Sequence, residues 1–175
     1  MKPLRDHLLG RAMRHCIDHD APMQIHTGVG DYEVNLANCR PSLLMDILRK
    51  PSLRACKVIL VHDGYPYQGE AGYMAQMLPR VYCDLSEGVP FSAHGSARII
   101  RETLEMAPIS KVLYGSDAFS LPEQNYVGAQ MGRRGLATVL QEFVDAGTLD
   151  EKGALFAARR ILGENALELY DAGSG

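Results

Sequence analysis

Lys111-Val-Leu-Tyr-Gly-Ser-Asp-Ala118 is the stretch on which the fold turns. Val112, Leu113 and Tyr114 form a short apolar run that stops at Gly115-Ser116-Asp117, the pattern of a fully buried parallel strand. An acid at the C-terminal mouth of such a strand is where α/β enzymes keep their chemistry. Two earlier runs end in the same way, but on histidines. Met23-Gln24-Ile25 leads to His26-Thr27-Gly28, and Val58-Ile59-Leu60-Val61 leads to His62-Asp63-Gly64. A further run over residues 81–86 ends on the polar pair Asp84 and Ser86.

Helical patterns fill the intervals. Residues 4–19 place Leu8, Leu9, Ala12, Met13, Cys16 and Ile17 on one face and leave His7, His15 and His19 as surface histidines. Asp20-Ala21-Pro22 stops that helix. Pro41 opens a second, with Leu43, Leu44, Ile47 and Leu48 as its buried stripe and Pro51 as its limit. Helices over 68–77 and 96–106 follow. After Asp117 a long helix runs from Pro122 to about residue 146, with two more over 150–162 and 165–170. Strand–helix alternation, four times over, predicts an α/β fold with a parallel sheet and right-handed crossovers. Residues 1–172 read as a single domain and 173–175 as a flexible tail.

A chain of 175 residues can bury a substantial core, and 46% apolar with 22% charged residues is ordinary for a globular protein. The net charge of −3 gives no case for nucleic acid. No run of roughly 18 apolar residues suggests a membrane span. The N-terminus reaches Asp6 and His7 before a signal-peptide core could form, so the cytoplasm is expected. The four cysteines include no CxxC pair, which argues against a zinc ribbon, and Cys56 and Cys83 read as buried, inert thiols.

His26, His62 and Asp117 stand at C-terminal strand ends, separated by 36 and 55 residues, the spacing of one and two βα units. They therefore share one face of the sheet, and together suggest a metal or acid–base site. A histidine there can also simply cap its strand, and Asp117 can cap the following turn. Two imidazoles with a carboxylate suit Zn²⁺ best, without excluding Mn²⁺ or Fe²⁺. Asp117 would then both bind the metal and move a proton, and His62 joins it as a catalytic candidate. Asp84, His94, Arg133 (or its neighbour Arg134) and Tyr65 are candidates to meet a small-molecule substrate, Arg133 through a carboxylate of that substrate; Tyr65 and Tyr67 read as pocket wall or as packing against it. The two-glycine loop Thr27-Gly28-Val29-Gly30-Asp31 lacks the spacing and following helix of a phosphate-binding motif.

With these strand ends in place, the chain resembles the C-terminal part of the amidohydrolase-related family of metal-dependent hydrolases. It is most like the branch fused to glutamine synthetase-like domains in fungi and plants, including nodulin-type proteins. The stretches that carry the likeness are Pro22-Met-Gln-Ile-His-Thr-Gly28, Val61-His-Asp-Gly-Tyr-Pro-Tyr67, Val81-Tyr-Cys-Asp-Leu85 and Val112-Leu-Tyr-Gly-Ser-Asp-Ala118 with Pro122-Glu123. Asn165-Ala166 and Leu169-Tyr170 match the family's closing helix. The resemblance implies a TIM-type (β/α)₈ barrel with His26 ending the fifth strand, His62 the sixth and Asp117 the eighth. His26 and Asp117 would be metal ligands, and His62 a ligand or water-orienting group. The implied reaction is attack of metal-activated water on an amide or related C–N bond; some relatives decarboxylate instead.

Two departures stand out. Asp63 occupies a position usually small and apolar, where it would alter the electrostatics beside the metal. The family's first-strand His-x-His is absent, as is the strand with its bridging Lys or Glu. A complete barrel takes about 250 residues, so these four βα units with C-terminal helices read as a half-barrel: a natural truncation, an incompletely read gene or one half of an assembly. Its two strand edges and uncovered interior predict homo-oligomerisation or completion by another chain, with a non-catalytic fragment as the remaining alternative.

Overall fold

The structure, a computed structural model, describes residues 2–171; the tail expected at 173–175 lies outside the described residues. Helix α1 (Lys2–Asp18) leads into β1 (Met23–His26). A 3₁₀ turn over Pro41–Leu44 and the short α2 (Met45–Leu48) precede β2 (Val58–Val61). Next come α3 (Gln68–Met77), β3 (Val81–Asp84), α4 (Gly88–Phe91), α5 (Ser96–Leu104) and β4 (Val112–Leu113). The chain ends in α6 (Pro122–Asp145), α7 (Glu151–Arg159) and α8 (Asn165–Asp171), the last two joined by a π-helical turn. The continuous helix expected after Pro41 is tighter and shorter than its pattern suggests. Hemmed between Pro41 and Pro51, it has too little chain to propagate.

The strands pair in sequence order, β1-β2-β3-β4, each pair parallel. This is the expected α/β architecture, and four such strands are half of the eight that close a TIM-type barrel. Alternation along the strands sorts their side chains between two faces. Met23, Ile25, Val58, Leu60, Val81, Cys83 and Val112 face the helices and pack with Met13, Met74, Ile99, Ile100 and Val139. Burying one side chain of the size of Leu60 contributes about 1.5–3 kcal/mol. Burial also pushes the Cys56 thiol up to about 11, in keeping with an inert core cysteine.

Gln24, His26, Ile59, Val61, Tyr82, Asp84 and Leu113 fall on the other, inward face by the observed register. The expectation of an uncovered interior needs correction, because α8 lies across part of this face. Leu169 packs on Ile59 and Leu113, with Ala166, Val61 and Tyr82 around them. Gln24 Nε2 donates to the Tyr170 hydroxyl at 2.6 Å, and Asn165 Nδ2 donates to the carbonyls of Ile109 and Val112 at 2.7 and 2.8 Å. The end of the face that carries His26 and Asp84 is left to the loops.

Helix α6 fixes the last of those loops. Tyr114 lies so close to it that a Cβ on Gly132 would come within 2.2 Å of the ring. The Tyr114 hydroxyl donates to the Gly128 carbonyl, anchoring the chain just before Asp117. Among the described residues no helix is long and apolar enough to cross a membrane.

Candidate metal centre

His26 ends β1 on the inward face. His62 follows Val61, and strand alternation alone would send its ring into the helix layer. A left-handed turn prevents this: His62, Asp63 and Gly64 have φ of 65°, 52° and 64°. The His62 ring is thereby brought back, edge-on to His26, with centroids 4.7 Å apart and an interplanar angle of 78°. The loop after β1 folds down onto the pair, since a Cβ on Gly30 would meet His26 Nε2 at 2.6 Å.

A third side chain joins them that the sequence reading did not single out. Beyond β3, the Gly88 N–H donates to the Ser86 carbonyl at 2.5 Å, closing a γ-turn around Glu87 at φ 50°, ψ −64°. This form of the turn is rare, and a non-glycine residue held there costs about 1–3 kcal/mol. It aims Glu87 at the histidines, with Oε2 3.3 Å from His62 Nε2. Ligand atoms of His26, His62 and Glu87 all lie within 4.8 Å of one another. An acid followed by glycine directly after a polar strand end was the available signal.

Asp117 is exposed at φ 57°, near enough to act electrostatically on both His62 and Glu87. Among the described residues it makes no hydrogen bond. The turn is capped by Ser116 instead, whose hydroxyl accepts from the Ala118 N–H at 3.2 Å. Among the described residues six non-glycine residues have positive φ, and four of them, His62, Asp63, Glu87 and Asp117, belong to strand-mouth turns around this cluster.

Behind His62 stands a short relay. Its Nδ1 is 3.0 Å from Ser86 Oγ, and the Ser86 hydroxyl donates to Asp84 Oδ2. Asp84 thus acts on the cluster through Ser86. Burial lowers the His62 pKa, His26 adding to the effect while Asp117 and Asp84 oppose it. Burial raises the Glu87 pKa, and repulsion from Asp117 raises it further against the pull of His26. Asp84 is raised by burial too, and held back by its bond from Ser86.

The electrostatic effect expected of Asp63 is not found. Its side chain turns away from the cluster into the core, 1% exposed, against Thr103 and beside the Cys83 thiol. The Thr103 hydroxyl reaches both Asp63 Oδ2 and the Ile99 carbonyl, the latter at 2.9 Å, so its single proton is shared between two acceptors. Asp63 Oδ1 has no hydrogen-bond partner, and burial pushes the carboxyl well above the usual range. Asp63 is not among the charged groups that act on His62, which are His26, Asp117 and Asp84.

The proposed substrate residues are scattered. Tyr65 is half-buried beneath the Glu87 turn, where a Cβ on Gly88 would touch it at 3.4 Å, and its carbonyl accepts from Val29 N–H at 2.8 Å. His94 is exposed on the turn before α5, and Arg133 is exposed on α6. Neither has a described contact with the three donors. Tyr67 sits under the Arg40 guanidinium, 4.6 Å from its centroid. A mostly apolar cleft of about 250 Å³ opens between α4 and α6, lined by Phe91, Val127 and Ser116, the residue before Asp117.

The donor set fits a divalent cation. Two imidazoles and a carboxylate are ordinary ligands of zinc, iron or manganese. The 3.3 Å between His62 Nε2 and Glu87 Oε2 matches the edge of a tetrahedron, about 3.3 Å, for bonds of about 2.0–2.1 Å to a central ion. The Ser86 contact on Nδ1 is the outer support that metal-binding histidines usually have.

Comparison with known proteins agrees with this architecture. The chain aligns at 33% identity with protein fluG of Emericella nidulans, over 97% of the chain but 20% of fluG. It superposes on a solved Lactobacillus casei protein, provisionally named a metal-dependent hydrolase, with a TM-score of 0.88 and 31% identity. That alignment covers 97% of this chain and 44% of the L. casei one. The chain thus spans about a fifth and under half of the two proteins it matches. The sequence pattern of the family described as amidohydrolase extends over residues 1–172. This chain belongs to the amidohydrolase family, and its four strands are a half-barrel of the TIM type.

Proposed function

We propose that residues 1–172 form the metal-holding half of a metal-dependent hydrolase that cleaves an amide or related C–N bond in a small molecule. His26 and His62 are its imidazole ligands and Asp117 its carboxylate ligand and proton carrier, with zinc the best-suited ion and manganese or iron the alternatives. The observation that carries this reading is the edge-on His26–His62 pair at the mouth of a parallel sheet, with the Glu87 carboxylate within 4.8 Å and Asp117 near enough to act electrostatically on His62.

A bound divalent cation supplies Lewis-acid polarisation of a carbonyl and lowers the pKa of water. The chain's own groups do the rest. Asp117, exposed and free of the turn-capping role, takes the proton of the attacking water and returns it to the leaving nitrogen. His62 is kept neutral by burial, and Ser86 orients its ring. His94 and Arg133 are proposed to meet the substrate, Tyr65 to wall the pocket and Asp84 to act through Ser86. The free strand edges of β1 and β4 support completion of the barrel by a second half, from another chain or another copy.

The test is metal analysis of the purified chain, then a panel of amides, glutamyl amides included, assayed for amine or ammonia release. Chelation should abolish turnover. Asp117→Asn should lower kcat by about 10²–10⁴-fold even at saturating metal. No stoichiometric divalent ion, or an Asp117→Asn enzyme at full rate, would sink the reading. Carbon dioxide release without amine would identify a decarboxylase instead.

A further inference from the structure

We propose that Glu87 is a protein ligand of the cation, so that the end of β1 and the turns after β2 and β3 of this one chain supply a two-histidine, one-carboxylate set. The inference rests on the metal reading of the site. It adds a donor from a different strand mouth and needs none from outside the chain.

The argument begins with the Ser86 hydroxyl, which has a single proton. That proton goes to Asp84 Oδ2, so toward His62 Nδ1, 3.0 Å away, Ser86 can present only a lone pair. Nδ1 must then carry the ring's N–H, and the other lone pair of a neutral His62 sits on Nε2. Nε2 is the atom that faces Glu87 Oε2 at 3.3 Å. Two acceptors pointed at each other across that distance, inside a half-buried pocket, are mutually repulsive unless a positive charge lies between them. His26 is the third group around the same space.

Backbone geometry makes this arrangement hard to dismiss as chance. Strand alternation would turn Glu87 away from the inward face, to which Asp84 and Ser86 belong. The γ-turn closed by the Gly88 N–H reverses that direction and holds the carboxylate at the histidines. Strain concentrated on one functional side chain is what a ligand-positioning turn looks like. Glu87 is also less exposed than Asp117, as befits a group that binds the ion.

The experiment is calorimetric titration of the chelator-treated chain with Zn²⁺, repeated with Glu87→Gln, with the visible spectrum of the Co²⁺ forms as a second readout. Glutamine keeps the shape of the turn, and its amide can donate to His62 Nε2. The metal-free variant should therefore melt at or above the temperature of the metal-free wild type. The expected result is one Zn²⁺ per wild-type chain and a loss of affinity beyond about 100-fold in the variant. That exceeds the 10–100-fold typical of a group merely supporting a ligand. The Co²⁺ spectrum should change in step. If the variant binds within about 100-fold of wild type, Glu87 is not a ligand and this inference falls alone. If its metal-free form instead loses stability while Zn²⁺ affinity holds, Glu87 is only an ion-pair partner of protonated His62. If wild type binds no Zn²⁺, the metal reading falls with it.

Discussion

Replacing Asp63 by asparagine should stabilise this protein at neutral pH, by an amount that grows with pH. Asp63 is buried to 1% exposure, Oδ1 has no partner, and Oδ2 meets a threonine hydroxyl whose single proton is shared with a carbonyl. Burial without a partner for Oδ1 favours the protonated acid and raises its pKa, against the opposing bond from Thr103. The sign follows from proton counting. Above the unfolded-state value, about 3.9, the unfolded chain has lost the proton and the folded chain still holds it. Stability contributed by Asp63 is therefore full below the unfolded pKa and declines as pH rises toward the folded one. The slope is at most about 1.4 kcal/mol per pH unit, reached where the folded chain keeps the proton that the unfolded chain has lost. Asparagine has no proton to lose, and its Nδ2 reproduces the bond to Thr103. The assay is urea unfolding of both metal-free proteins from pH 4.5 to 8.5, read as the difference between them. A difference that stays constant with pH, or that favours aspartate as pH rises, would show that Asp63 is ionised in the fold and refute the reasoning.

Two further substitutions probe the support of the histidines. Ser86→Ala leaves His62 Nδ1–H without a partner and frees the ring to rotate; Zn²⁺ affinity should fall by about 10–100-fold in a calorimetric titration, and an unchanged affinity would mean the hydroxyl does not hold the ring. Gly30→Ala places a methyl 2.6 Å from the His26 ring and 2.9 Å from Val34 Cγ2. It should cost about 1–3 kcal/mol in urea unfolding of the metal-free protein, whereas a neutral effect would show that the loop simply moves aside.

The sheet was readable because each strand is announced twice, by a continuous apolar run and by an abrupt polar stop. Lys57 to His62 and Lys111 to Asp117 both have this form, and each is a strand followed by a site residue. What alternation could not supply is the direction of residues beyond a strand's last paired position. By alternation Asp63, not His62, belongs on the inward face; the left-handed turn exchanges them, sending the imidazole to the site and the carboxyl to Thr103. Glu87 was hidden for the same reason, because its direction is set by a γ-turn that no periodicity encodes. The placement of α8 was hidden differently. Ala166 and Leu169 show an apolar stripe, but nothing in the stripe says that its partner is the inward face of the sheet.

These exchanges share one physical logic. A βα unit delivers its strand end to the same rim as its neighbours, but pleating offers that rim only alternate side chains. To bring a polar group from every mouth to one point, the chain must leave the pleat just past the strand, and non-glycine residues do so at positive φ. His62, Glu87 and Asp117 each sit at such a residue, while His26, the last residue of β1, already faces inward and needs none. The four mouths thus contribute one group each, two imidazoles and two carboxylates, with positive φ at the three that lie beyond a strand's last paired residue. Strain spread at random over the loops would not single out these residues. Its concentration here ties the backbone of this half-barrel to the chemistry of its rim.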